Sequence, residues 1–315
     1  MKWSDDFLLD SIVKSTIIMV IDDFLVNPDT DEKLLVKWRE RTIANISQDK
    51  YYVAVENEIP VILPKSLNDN LSKTDLHTQL NTSFEYVEHY VKDANSFDYF
   101  EEPLNKATKE EKRRLNQMLI SEISQSDSVI LDVGCGGGWL NKKLKNSNII
   151  SLDISLTNVR KVLKNNPLHM GVVADVFHLP IRENSIDYIV ASEIIEHVSD
   201  PHKFIIKLLK PLKKGGKLII STPYKEVITY HLCVHCNNLT PTNSHLHSFD
   251  ESKIESIIPN FVTSYNIKKI GNKIMVKLRF YLLIKWLPFK MWCWIDKQIN
   301  KLIKKQERLI VVITK

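Results

Sequence analysis

From residue 127 onward the chain alternates short apolar runs with segments whose apolar residues recur every third or fourth position. VILDVG is apolar almost throughout, as a strand covered on both faces should be. NIISLDIS, GVVADV, IDYIVAS and GKLIISTP follow it, separated by helical patterns such as NVRKVLKNN and PHKFIIKLLKPL. Strand and helix repeated in this order predict a parallel, doubly wound α/β sheet. FVTSYNIKKI and the terminal RLIVVITK are further β-rich runs, which predict a closing hairpin with a long excursion at its tip. Upstream, residues 1–68 mix short helical and strand-like pieces and end in YYVAVENEIPVILPKSLND, where Glu56 to Glu58 separate two β-rich runs that Pro64 closes. That pattern predicts a small α+β domain ending in a hairpin. Residues 69–126 read as polar and helical, with Leu115, Met118, Leu119 and Ile123 at helical spacing. This stretch is expected to be a linker helix on the next domain, or a substrate lid built on the aromatic cluster of Tyr86, His89, Tyr90, Phe97 and Tyr99.

Composition changes this picture only locally. With 43% hydrophobic and 26% charged residues in 315, the chain can bury a full core and is not a disordered one. Its net charge of +5 is uneven: Lys268 to Lys305 holds eleven Lys or Arg and one acid, and the remainder is acidic. A general nucleic-acid partner therefore has weak electrostatic support, and a local anionic contact remains open. Four cysteines, at 135, 233, 236 and 293, suit a reducing compartment. The N-terminus is acidic where a secretory signal is basic, and no uncharged apolar stretch is long enough to span a bilayer, so a cytoplasmic protein is expected.

VILDVGCGGGWL sets glycines directly after a buried strand and ahead of a helix, at the carboxyl strand end where open α/β sheets bind ligands. The next strands end in the acids Asp153 and Asp175, so a nucleoside could lie across adjacent strand tips, with Asp153 accepting from both ribose hydroxyls. A dinucleotide-binding domain also wants an acid after its glycines, but its third glycine would fall on Trp139, too bulky for close helix packing. Each carboxylate taken alone is equally a helix cap or a turn residue; their register across the strands favours the ligand.

DVGCGGG, LDIS, ADVFHLPIRENSIDYIVASEIIEHVSDP and LLKPLKKGGKLIISTPY resemble successive motifs of the class I S-adenosylmethionine (SAM) dependent methyltransferases, especially the quinone-methyltransferase, type 11 kind. The resemblance implies a Rossmann-like seven-stranded sheet across 127–315 and SAM as cofactor. Asp132, Gly134, Gly136 and Gly138 would flank the methionine part and Asp153 would hold the ribose. Asp175 and the backbone of Val176 would face the adenine, and Ser192 and Glu193 would sit beside the sulfonium. Residues 1–68 resemble a Trm112-like zinc-ribbon domain without its cysteines, since Asn27-Pro28-Asp29-Thr30 stands where the metal knuckle would be.

Methyl transfer from a sulfonium needs alignment and, for some acceptors, a base. Glu193 and His197 follow the fourth strand at the mouth where an acceptor approaches, and His197 titrates near neutrality; the alternative for Glu196-His197 is structural hydrogen bonding. The Pro-Pro-Tyr signatures of nucleobase amine methylation are absent, which favours a small-molecule or lipid-linked acceptor. An RNA-modifying enzyme and a noncatalytic binding protein of this fold are the rival readings.

Residues 229–249 form a Cys/His loop in which Cys233 and Cys236 have knuckle spacing and His245 and His247 follow, a candidate structural zinc set. The alternative is reduced cysteines and surface imidazoles in a substrate loop. The insertion at 271–306 interleaves cations with Leu, Phe and Trp, so its 274–305 part is a candidate for peripheral membrane contact. The competing reading is an amphipathic helix packed on the domain or on a dimer partner.

Overall fold

The open edge of a parallel sheet must be covered, and here the chain's own N-terminal hairpin covers it. The structure, a computed structural model, describes residues 21–65, 105–124, 128–145, 147–232 and 239–315. The aromatic cluster of Tyr86 to Tyr99 and the pair Cys233 and Cys236 lie outside the described residues.

The N-terminal part contains β1 (Leu35–Lys37), β2 (Thr42–Ala44), β3 (Tyr51–Glu56) and β4 (Ile59–Pro64). The alternating region supplies β5 (Val129–Val133), β6 (Asn148–Asp153), β7 (Met170–Ala174), β8 (Ile186–Ser192) and β9 (Leu212–Pro223). After the small ribbon of β10 (Tyr230–Leu232) and β11 (Leu239–Pro241), β12 (Ser264–Asn272) and β13 (Gln306–Thr314) form the closing hairpin. The main sheet has nine strands in the order β12-β13-β9-β8-β5-β6-β7-β4-β3. Strands β5 to β9 run parallel, and β13 enters antiparallel between β12 and β9. The order reverses after β5, so the loops following β5 and β8 flank the switch point where ligands of such sheets bind.

Seven of these strands are the expected sheet; β3 and β4 extend it by two. The reason is in IPVILP, which is buried at five of six positions and so behaves as an interior strand rather than the outer strand of a separate unit. Its pairing with β7 is confined to Val61 with Val173 and Ile62 with Ala174. Pro60 and Pro64 at its ends have no N–H to donate. Further upstream, Val26 donates to the Pro180 carbonyl at 3.1 Å and Arg182 to that of Phe24 at 2.8 Å. Leu25, Leu34, Ile43 and Ile62 belong to the same apolar cluster as Leu131, Leu152 and Ile189, so the N-terminal strands share a core with the sheet. In the turn at Asn27 to Thr30, Asn27 Oδ1 accepts from Asp29 N at 3.0 Å, and Tyr51 Oη donates to Asp29 at 2.8 Å.

Of the helices, α1 (Lys106–Ser121) buries Leu115 and Leu119 at the expected spacing, with Met118 and Ile123 packed beside them. The others that position the site are α2 (Trp139–Lys143), α3 (Leu156–Asn165) and α4 (Pro201–Leu209), while α5 (Glu251–Ile257) packs beyond the Cys/His loop. The excursion between β12 and β13 folds as α6 (Lys273–Lys277), α7 (Phe280–Leu283) and α8 (Phe289–Leu302).

Candidate cofactor and acceptor site

The turn after β5 is forced open by its backbone. Gly134 and Gly138 have φ of 66° and 64°, in the left-handed region that a side chain disfavours. A Cβ on Gly134 would come within 2.3 Å of Ile194 Cδ1, and one on Gly138 within 2.8 Å of Val162 Cγ2. The turn is tied to β6 because the Leu152 carbonyl accepts from Gly134 N at 2.8 Å and Cys135 N at 3.0 Å. Asp153, at the end of β6, closes the same loop by accepting from Gly136 N at 3.0 Å and Ser155 N at 2.9 Å. Asn158 Nδ2 at 3.4 Å and Cys135 Sγ at 3.9 Å also donate to Oδ2, so the lone pair left for a ribose hydroxyl is on Oδ1, whose partner among the described residues is Ser155 N.

Among the described residues, the carboxylates at neighbouring strand ends are buried and incompletely satisfied. Asp132, at 2% exposure, has no partner for Oδ2, and burial followed by the charge of Asp153 pushes its carboxyl up to about 7. Burial also raises Asp153, against the hydrogen bonds it accepts. Asp175, after β7, uses Oδ2 on His178 Nδ1 at 2.8 Å and leaves buried Oδ1 without a partner. Uncompensated buried carboxylates are costly, and a cationic, donor-rich ligand relieves that cost. SAM, which carries an ammonium, a sulfonium and an exocyclic amine, fits this donor and acceptor set, and the glycine turn provides main chain with no Cβ for its amino-acid end.

Past β8 lies a second polar group. Ser192 Oγ and Ser221 Oγ are 3.0 Å apart, and Ser221 Oγ donates to Glu193 Oε1 at 3.1 Å. Glu193 itself has φ of 57°, unusual for a residue with a side chain, and its Oε2 lies 2.9 Å from Arg308 Nε. Burial pushes the Glu193 carboxyl up while Arg308 pulls it down. Glu196 is 1% exposed, accepts from Thr222 Oγ1 at 3.1 Å through Oε2, and among the described residues has no partner for Oε1. Burial, with the nearby charge of Glu193, raises it well above the usual carboxylate range.

His197 lies beside the Cys/His loop, its Nδ1 3.3 Å from the Ser244 carbonyl and its ring edge-on to His245 at 4.7 Å. His245 Nδ1 in turn meets Glu226. One potential donor atom from each of Glu196, His197 and His245 lies within 4.8 Å of the others, the separation a divalent cation would need. His247 does not join them: it packs against Phe249, and its Nε2 sits 2.9 Å from the Val198 carbonyl. The site therefore brings together Asp132, the glycines, Asp153, Asp175, Ser192, Glu193 and His197 along the sheet's carboxyl edge, and separates His245 from His247. Arg308, Ser221, Thr222 and Glu226 were not singled out from sequence. Only Arg308 carries a signal, as a cation opening an otherwise apolar strand.

Residues 131–220 match the family described as methyltransferase domain. The ubiquinone biosynthesis O-methyltransferase of Hydrogenovibrio crunogenus is 28% identical over 149 residues, covering 42% of this chain and 62% of that protein. The malonyl-[acyl-carrier protein] O-methyltransferase of Hahella chejuensis is 33% identical over 99 residues, covering 30% of this chain and 36% of that one. Among solved structures, an S-adenosylmethionine dependent methyltransferase from Mesorhizobium loti aligns with a TM-score of 0.45 at 14% identity, covering 64% of this chain and 98% of that one. This chain thus spans less than two thirds of the length of either sequence relative named here.

Proposed function

We propose that this chain, whose residues 131–220 match a methyltransferase domain, transfers a methyl group from SAM to an oxygen, carbon or nitrogen centre of a small-molecule or lipid-linked acceptor. The observation that carries the proposal is the pair of buried carboxylate oxygens without partners among the described residues, Asp132 Oδ2 and Asp175 Oδ1, on either side of Asp153 along the strand tips.

When bound, SAM supplies a methyl carbon on a positively charged sulfur, so the acceptor's lone pair forms the new bond as the carbon–sulfur pair returns to sulfur. Everything else falls to the chain. In this reading Asp132 holds the ammonium, Gly134, Gly136 and Gly138 give backbone access to the methionine part, and Asp153 grips the ribose. Asp175 and the backbone of Val176 face the adenine. Ser192 and Glu193 lie beside the sulfonium, with Arg308 against the Glu193 carboxyl. His197 is placed to take a proton from the acceptor, with the Glu226–His245 pair next to it. The buried Glu196 carboxyl, which accepts from Thr222, acts as a hydrogen-bonding support.

Calorimetric titration of the purified chain with SAM tests the cofactor site. Asp153→Asn and Asp153→Ala should each weaken binding by roughly tenfold or more, the worth of a charge-assisted hydrogen bond. No heat with the parent protein overturns the reading. Incubation with methyl-labelled SAM and cell extract should then place label on a small or lipid-soluble product; label on RNA or on nothing would count against the acceptor class.

A further inference from the structure

The 273–305 excursion combines two tendencies that a folded surface usually keeps apart. It holds nine Lys or Arg, and its one acid, Asp296, is buried. That acid is spent internally, accepting from Tyr281 Oη at 2.6 Å, Gly271 N at 3.1 Å and Asn300 Nδ2 at 3.1 Å. Trp292 is 1% exposed, with the Arg114 guanidinium 5.3 Å over its ring, and Arg114 Nη2 donates to the Lys285 carbonyl at 2.7 Å. The inner side is thus locked to α1 and to the sheet, which fixes what the outer side presents.

On α8 the inward residues Trp292 and Asp296 are one turn apart, and helical spacing puts Lys290, Trp294, Lys297 and Lys301 together on the opposite face. Trp294 is 63% exposed in the middle of those lysines. Just ahead of α8, Trp286 is 83% exposed with Lys285 Nζ 4.6 Å over its ring, and Leu283 on α7 is 76% exposed. Beneath α8 a cleft of about 910 Å³ opens, and Lys297, Lys301 and Lys304 line one wall. Lys225, Lys268 and Lys269 in the same cleft have acidic partners in Asp250, Glu122 and Glu251. Among the described residues, the three lysines of the α8 wall have none.

We propose that this face docks on an anionic lipid bilayer, with Trp286, Trp294 and the neighbouring aliphatic side chains entering the interface and Lys297, Lys301 and Lys304 meeting lipid phosphates. Charge complementarity selects the occupant. A second copy of the chain would set like cations against each other, and Leu278, Leu283 and Leu302, exposed beside the two tryptophans, add aliphatic surface that a hydrocarbon interface takes up and a nucleic acid does not. Trp and Lys mixed on one face are the composition of an in-plane membrane element, in which lysine stems lie along apolar surface and their heads reach phosphate. Among the described residues no helix is long and apolar enough to cross a membrane, so the contact is peripheral.

Flotation of the purified full chain with phosphatidylcholine vesicles, with and without phosphatidylglycerol, tests the proposal. The parent should float only with the anionic vesicles, less so as salt rises. Lys297→Gln, Lys301→Gln and Lys304→Gln combined should lower partitioning roughly a hundredfold. Trp286→Ser with Trp294→Ser should lower it as well, and thermal melts unchanged from the parent would show that the fold survives. No flotation of the parent, equal flotation with neutral vesicles, or variants that partition like the parent would overturn it. So would displacement from the vesicles by single-stranded RNA bound more tightly than lipid.

Discussion

Arg308 Nε stands 2.9 Å from Glu193 Oε2, joining the start of the last strand to the residue just beyond β8. The same guanidinium faces Glu111 at 3.9 Å and Glu307 at 3.0 Å, so one cation balances three carboxylates. Burial pushes Glu111 up to about 7, with Arg308 opposing it. Arg308→Gln removes the cation in contact with this group and should destabilise the protein by about 2 kcal/mol near neutral pH, less than a fully buried pair because the guanidinium keeps some solvent. Below about pH 7 Glu111 takes up its proton and the penalty should shrink. Urea midpoints of parent and variant, measured on either side of about pH 7, check both the loss and its sign.

Asp132 predicts how pH and cofactor are linked. In the folded protein it keeps its proton up to about 7, against 3.8 for the ordinary group, so unfolding releases a proton between those values. Its contribution is therefore present at low pH and is lost as pH rises through that window. A bound ammonium reverses the preference and favours the anion. SAM should bind more tightly as pH rises toward about 7 and release a proton on binding, seen as a heat that depends on the buffer's ionisation enthalpy. Asp132→Asn keeps the shape and removes the titration. It should stabilise the ligand-free chain by about 1 kcal/mol above pH 7 while weakening SAM by roughly tenfold.

The contact between Gly134 and Ile194 predicts a paired effect. Gly134→Ala adds a methyl 2.3 Å from Ile194 Cδ1 at a φ of 66°. The clash and the left-handed backbone together should cost about 2–4 kcal/mol. Ile194→Ala alone opens space. In the double variant the steric part should be relieved and the backbone part retained, so a double-mutant cycle should give a coupling of about 1–2 kcal/mol. Additive losses would show that strain at the backbone accounts for the whole effect.

The sheet was legible because strands buried on both faces are apolar throughout, and an acid ending such a run marks the carboxyl edge: Asp153 and Asp175 are instances. The polar group past β8 was only half legible. Glu193, Glu196 and His197 are consecutive enough to be noticed, but Arg308 reaches Glu193 only through the register of β13 against β9, which sets it opposite Pro223. Likewise Glu196 holds the Cys/His loop through its carbonyl, which accepts from Leu246 N at 2.8 Å and His247 N at 3.1 Å. Backbone contacts of that kind leave no side-chain signature. His245 and His247 looked equivalent for a zinc set because spacing reports proximity along the chain and not the direction of each ring.

The pairing of Ile62 with Ala174 gives the last prediction. Ile62 is fully buried and sits where β4 covers the edge of β7, directly before Asp175. Ile62→Ala leaves a cavity worth about 2–4 kcal/mol at that edge. If the hairpin were an independent unit, the loss would stay in β3 and β4. Because it shares the core cluster with Leu131, Leu152 and Ile189, the amides of β7 should exchange faster together with those of the hairpin, ahead of those in β5 and β8. SAM affinity should fall in parallel, since loosening β7 loosens Asp175. Hydrogen exchange of Val172 to Ala174, read beside SAM calorimetry on the same variant, separates the outcomes: unchanged β7 exchange would mean that the hairpin rests on the sheet without supporting the site.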